Sequence, residues 1–110
     1  QGHARRQVAL VQGAKAQALA HEFAKDNINV NCVAPGMVDG PRFREKVVPS
    51  VMRDHGLTAE EAIASHAQEY ALRRISQSDD VASACLFLSS DVSRQITGVD
   101  LPVDGGWAML

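Results

Sequence analysis

Two cysteines, one tyrosine, one tryptophan and no long apolar run are the first facts of this 110-residue chain. Each shortage removes a class of protein. Cys32 and Cys85 lie far apart, each inside an apolar stretch, which fits buried free thiols of a reducing compartment better than a disulfide framework. His3, His21, His55 and His66 are scattered, so no pair of them has the spacing of metal ligands. No apolar run reaches the ~20 residues of a membrane span, and no charged-then-apolar segment resembles a signal peptide. A cytoplasmic protein is the expectation. An excess of charge of either sign is lacking too. Eleven Lys and Arg against thirteen Asp and Glu give a net charge of -2. The pairs Arg5–Arg6 and Arg73–Arg74 are too short to track a phosphate backbone, so neither nucleic acid nor an anionic membrane is an expected partner. Glycine is absent between Gly13 and Gly36. A loop that cradles a pyrophosphate with backbone N–H groups needs several glycines between a first strand and its helix, and none is available there.

What is present has an α/β order. Gln7–Val11 is a short β-branched and apolar run, a buried strand closed by the turn Gln12-Gly13-Ala14. From Lys15 to Lys25 the apolar residues Ala16, Leu19, Ala20, Phe23 and Ala24 fall on one helical stripe, and Asp26-Asn27 ends it. Ile28–Ala34 follows as a strand with Val30, Cys32 and Ala34 on one face and Asn29 and Asn31 on the other. A helix followed so closely by a strand is half of a βαβ unit. Pro35-Gly36 breaks that strand. Residues 37–57, with Pro41, Pro49, Gly40 and Gly56, read as a long loop with one helical turn around Phe43–Val48. Thr58-Ala-Glu-Glu61 has the capping-box pattern and predicts a helix over roughly 58–71. Ser78-Asp-Asp80 caps another, whose body Val81–Ser89 is apolar on most sides and is expected to lie buried against a sheet. Val99–Val103 is a last short strand, its Pro102 suiting an edge or a strand end. The chain is thus expected to be a single α/β domain over 1–110 with a parallel sheet and flanking helices.

The segment Asn29-Val-Asn-Cys-Val-Ala-Pro-Gly36 resembles the "VNxVxPG" segment of short-chain dehydrogenases/reductases. Leu72–Ile75, the helix start Asp79-Asp-Val81, Leu86–Asp91, Ile96-Thr-Gly98 and Val103-Asp-Gly-Gly106 match the same family in the same order. The likeness covers about residues 16–107. It implies a partial Rossmann-like, doubly wound sheet binding NAD or NADP at the carboxyl ends of its strands. It also implies an oxidoreductase of small alcohols or ketones that forms homo-oligomers. By the same likeness Pro35, Gly36, Met37 and Val38 are the cofactor-binding residues, with Met37 and Val38 meeting the nicotinamide through backbone groups. Gly36 would let the backbone approach the flat ring. Residues 37–71 correspond to the segment that covers substrate. Met37, Phe43, Met52 and Tyr70 are candidates to line an apolar pocket there, with the alternative that Tyr70 and Ile63 are a helix's buried stripe.

Departures from the family pattern are as informative. Its chemistry uses a tyrosine as acid or base and a lysine four residues later. Four residues before Lys15 stands Val11, which has no proton to give, and Lys15 lies too near Pro35 for the family spacing. Four residues after Tyr70 stands Arg74, too strong a base to share the lysine's role. No catalytic residue is assigned. Gly40 occupies the position where the family often has a threonine. One account is that residues 1–14 are the family's first strand joined directly to the late part of its fold, residues 15–110. Another is that residues 1–15 are an eroded tyrosine–lysine region with Lys15 its remnant. Two functions stay open: an incomplete NAD(P)-dependent oxidoreductase chain, inactive alone, and a non-catalytic interaction or oligomerisation module derived from the family.

Overall fold

The computed structural model describes residues 5–107. Three strands, β1 (Gln7–Val11), β2 (Ile28–Pro35) and β3 (Asp100–Val103), form one sheet in the order β1-β2-β3. β1 and β2 are parallel, Gln7 opposite Ile28 and Val11 opposite Cys32. On the other side of β2, Gly98 donates to Val30 O at 2.7 Å, Cys32 to Val99 O at 2.8 Å and Gly36 to Val103 O at 3.1 Å. Partner numbers rise together, so β3 is parallel as well. Helix α1 (Ala16–Phe23) connects β1 to β2, and α2 (Val48–His55), α3 (Ala59–Ala67) and α4 (Ser78–Ser89) follow. This is the parallel, helix-flanked sheet that the alternation of patterns predicted, and it fits the Rossmann-like fold that the family resemblance implies.

The chain divides into two compact units. The first holds the described residues up to Ala34 together with Ala82–Leu101. Here α1 buries Ala16 and Ala20, while Phe23 and Ala24 of the expected stripe stay exposed. Asn27, in the left-handed conformation (φ 58°), stops the helical run and returns its N–H to Ala24 O. Asparagine tolerates that region better than most residues. The two asparagines of β2 do more than face away from the valines. Asn31 is fully buried and Asn29 nearly so. Asn29 Nδ2 donates to the carbonyls of Arg94 and Ile96, Asn31 Nδ2 to Ile96, and Val99 N–H donates to Asn31 Oδ1 at 3.1 Å. Buried amides must be satisfied, and these are satisfied by the loop that leads into β3, which they latch in register.

The second unit holds Pro35–Val81 with the described residues from Pro102 onward. Its core is Phe43, Val48, Ala62 and Ile75, with Met37, Val51, Met52, Leu57 and Ile63 packed around them. The stretch expected to be a long loop is instead largely helical. Phe43–Val47 forms one π-helical turn that runs into α2. Pro49 is the second residue of α2, directly after that π-helical turn. Gly56, at φ 64°, ends it by bonding back to Met52 O. Thr58 and Glu61 make the predicted capping box at 3.2 and 3.0 Å, although α3 stops at Ala67, earlier than 71. The expectation for α4 is corrected more strongly. Leu88 is its one buried residue, while Leu86 is 72% and Phe87 43% exposed. An apolar sequence predicts a covered helix only where a cover exists.

Candidate functional site

The four residues singled out in the sequence, Pro35 to Val38, form a turn and a short extended run at the end of β2. Their surroundings come from distant parts of the second unit. Gly36 N–H and Ser76 Oγ both donate to Val103 O, each at 3.1 Å. Met37 and Asp39 are then tied to one residue. Ser76 N–H donates to Met37 O at 3.1 Å, and Asp39 N–H to Ser76 O at 2.8 Å, making Val38 and Ser76 an isolated parallel bridge. Met37 N–H is also held, by the Tyr70 hydroxyl oxygen at 3.3 Å.

That arrangement sorts the backbone groups. Along an extended segment successive residues face opposite ways. Met37 and Asp39 face Ser76; Val38 faces away from it. Both polar groups of the Met37 backbone are consumed. Among the described residues, neither the N–H nor the C=O of Val38 has a hydrogen-bond partner. Val38 is half-buried, so it offers a donor and an acceptor, side by side, on one edge.

The structure supplies a reason for glycine at position 36 beside the one the family resemblance implies. A Cβ built there would lie 2.9 Å from Asp104 Cβ, 3.1 Å from Asp104 Cα and 3.3 Å from the Tyr70 ring. Gly36 is thus required by the close approach of Asp104 and Tyr70, whatever else approaches it. At Gly40 a side chain would meet open space.

Electrostatics beside the turn are dominated by one pair. Arg44 grips Asp39 through Nε at 2.7 Å and Nη2 at 2.9 Å, a two-point contact. The Arg44 hydrogen bond, and then its charge, hold the Asp39 carboxyl below the ordinary aspartate range against the opposing effect of burial. An open cleft of about 440 Å³ lies near it, lined by Asp39, Ile63, Ala67, Arg73, Arg74 and Gln77 among others. Met37, Phe43 and Met52, candidates for an apolar pocket, are instead core or packed on it. Tyr70 is buried at 5% exposure, and Lys15 is exposed on a single 3-10 turn. Val11, the residue four before Lys15, lies in β1. The described residues present no group of three His, Cys, Asp or Glu able to hold a metal. No described helix is long and apolar enough to cross a membrane.

Sequence reasoning found the turn, missed Ser76, and named Tyr70 and the Asp104 motif without their contacts to the turn. Ser76 stands in a polar stretch with no periodicity, and nothing local marks it as a bridge partner. The Val103-Asp-Gly-Gly106 segment was visible as a motif, but its contact with Gly36 is a property of the sheet.

Comparison with known proteins bears on this geometry. The family model for enoyl-(acyl carrier protein) reductase matches residues 9–108. Dehydrogenase/reductase SDR family member 6 of Rattus norvegicus is 32% identical over 93 residues, which are 84% of this chain and 36% of the relative. A short-chain dehydrogenase family protein of Francisella tularensis superposes with a TM-score of 0.78 at 35% identity, covering 86% of this chain and 39% of that one. L-sorbose reductase of Gluconobacter frateurii, solved with NADPH and L-sorbose, gives 0.76 at 30% identity, covering 86% and 36%. The chain therefore spans little more than a third of the length of these relatives. With the parallel sheet, the turn after β2 and a family-wide match on the page, the chain belongs to the short-chain dehydrogenase/reductase family.

Proposed function

We propose that Pro35–Val38 is the nicotinamide-facing turn of an NAD(P)-dependent oxidoreductase, and that Val38 is the residue that meets the cofactor. The observation that carries this reading is the pair of unpartnered backbone groups on Val38. A primary carboxamide presents one N–H donor and one carbonyl acceptor in a plane, the complement of what Val38 offers. Of the two residues first singled out for backbone contact, Met37 already has both polar backbone groups bonded, which favours Val38. Pro35 and Gly36 shape the turn. When bound, the cofactor supplies the hydride acceptor or donor; the work of these residues is to orient it. A member of the family solved with NADPH supports the cofactor class. NAD and NADP are equally compatible with the turn, because the ribose that distinguishes them lies elsewhere in the cofactor.

The phosphate end of the cofactor finds no glycine-rich loop in these residues, and no residue is assigned to proton transfer. The proposal is therefore that these 110 residues hold the nicotinamide weakly and do not turn over substrate alone. The test is an NMR titration of the chain with NADH and NADPH at millimolar concentration. The Val38 amide is expected to shift. Val38→Pro removes the donor without breaking any internal hydrogen bond of the described residues, and losing one hydrogen bond should weaken binding about three- to tenfold. Unmoved Val38 and equal binding by the proline variant would sink the reading.

A second reading has one observation in its favour. Leu86 and Phe87 on α4, with Val92 at 81% exposure just beyond it, leave large apolar side chains uncovered in the first unit. That suits a self-associating module, in which this face is covered by another copy.

A further inference from the structure

We propose that Tyr70 is a positioning residue for this turn: its hydroxyl occupies the Met37 N–H and thereby fixes Val38 as the residue whose backbone is presented outward. For its consequence the inference rests on the cofactor reading above; for its geometry it stands alone. The residues that would have to be chosen between are adjacent. A shift of one residue in the bridge to Ser76 would turn Val38 inward and Met37 outward, since the side alternates with every residue. Ser76 supplies two bonds that favour the observed register, to Met37 O and from Asp39 N–H. They leave Met37 N–H as the one Met37 backbone group that could compete with Val38 for a ligand, or be left without a partner. Tyr70, 33 residues away in sequence, closes that gap at 3.3 Å.

The hydroxyl is itself held. Its ring lies against Gly36, where a Cβ would come within 3.3 Å of it. Its oxygen is 3.4 Å from His66 Nε2. The oxygen accepts from Met37 and keeps its own proton available to His66 Nε2, while the other imidazole nitrogen is Nδ1. That nitrogen faces Glu69 Oε2 at 3.7 Å. The imidazole is wedged between rings, its centroid 5.4 Å from that of Phe43 and 5.8 Å from that of Tyr70. The chain of contacts Met37, Tyr70, His66, Glu69 thus ties the turn to α3 and the residues following it. Tyr70 acts through the backbone of its neighbour and touches no reacting atom, so it is not a catalytic residue.

The experiment is amide hydrogen exchange and NADH titration on the 110-residue chain and on Tyr70→Phe, which keeps the ring and removes the hydroxyl. Exchange of the Met37 amide should accelerate at least about tenfold in Tyr70→Phe, a loss consistent with one hydrogen bond, while the Asp39 amide keeps its protection. NADH affinity should fall about three- to tenfold, with the Met37 amide joining Val38 among the shifted signals. Unchanged Met37 exchange overturns the proposal. If NADH moves no amide in the parent chain, the cofactor reading fails, but the exchange result still decides whether Tyr70 holds the turn. Should the variant not fold, 3-fluorotyrosine provides the second route. Tyr70 is the chain's one tyrosine, so the label reaches it alone, and fluorine makes the oxygen a weaker acceptor with little change in shape. Met37 exchange must then rise several-fold, and a constant rate overturns the proposal.

Discussion

Residue identity alone misleads at two backbone positions. Glycine after proline says nothing of its own chain's crowding, and Gly36 is hemmed in by Asp104 and Tyr70. Gly36→Ala should therefore destabilise the protein by about 1–3 kcal/mol through overpacking, read as a lower urea midpoint in the absence of any cofactor. An unchanged midpoint would return the glycine to a purely ligand-facing role. Arg73 errs the other way. It adopts φ 56°, a conformation that costs a side-chain-bearing residue about 1–2 kcal/mol, yet nothing in an arginine signals it. The conformation is held by Arg73 N–H on Tyr70 O and by the guanidinium on the Gln68 carbonyl. What could be read in the sequence at this scale was the Thr58–Glu61 cap and the Asn27 stop, because both are local chemistry. What could not be read was any contact made across thirty residues, Tyr70 with Met37 foremost.

Elements show the same division. α1, α3 and β2 were legible from period and caps, whereas α2 was hidden by Pro41 and Pro49, residues that usually mark loops. Pro49 instead sits at the start of α2, directly after the π-helical turn. The π-helical turn before α2 carries Arg44, whose grip on Asp39 ties that element to the segment after the turn. This contact sets a pH dependence with a definite sign. The folded-state pKa of Asp39 is depressed, first by the Arg44 hydrogen bond and also by its charge. Its contribution is therefore fully present above the unfolded aspartate value and disappears as pH falls through the lower folded value. The thermal midpoints of the parent chain and Arg44→Gln should differ most at neutral pH and converge in strong acid. Added salt should narrow the gap, because the arginine is about half exposed. Midpoints that stay apart at low pH would mean that Arg44 acts by packing and not by charge.

For the whole molecule, the family was legible because its motifs occur in order along nearly all of the chain, and the family model matches 9–108 accordingly. Exposure was not legible, since hydrophobicity says what a side chain prefers and not whether a neighbour is there to cover it. Leu86, Phe87 and Val92 illustrate that limit. If another copy covers them, sedimentation velocity should show a species larger than one 110-residue chain at micromolar concentration, and Leu86→Lys with Phe87→Glu should restore the single chain. A parent protein sedimenting as one chain would remove the self-association reading and leave the cofactor reading untouched.

The open edge at Val38 has a consequence for molecular discrimination. A residue that shows one hydrogen and one lone pair can greet an amide squarely, but an acid of the same shape brings two oxygens, and one of them must face the Val38 carbonyl. If Val38 meets the carboxamide as proposed, repulsion between those oxygens would make the turn a filter against deamidated analogues, imposed by the main-chain carbonyl that every substitution at position 38 retains.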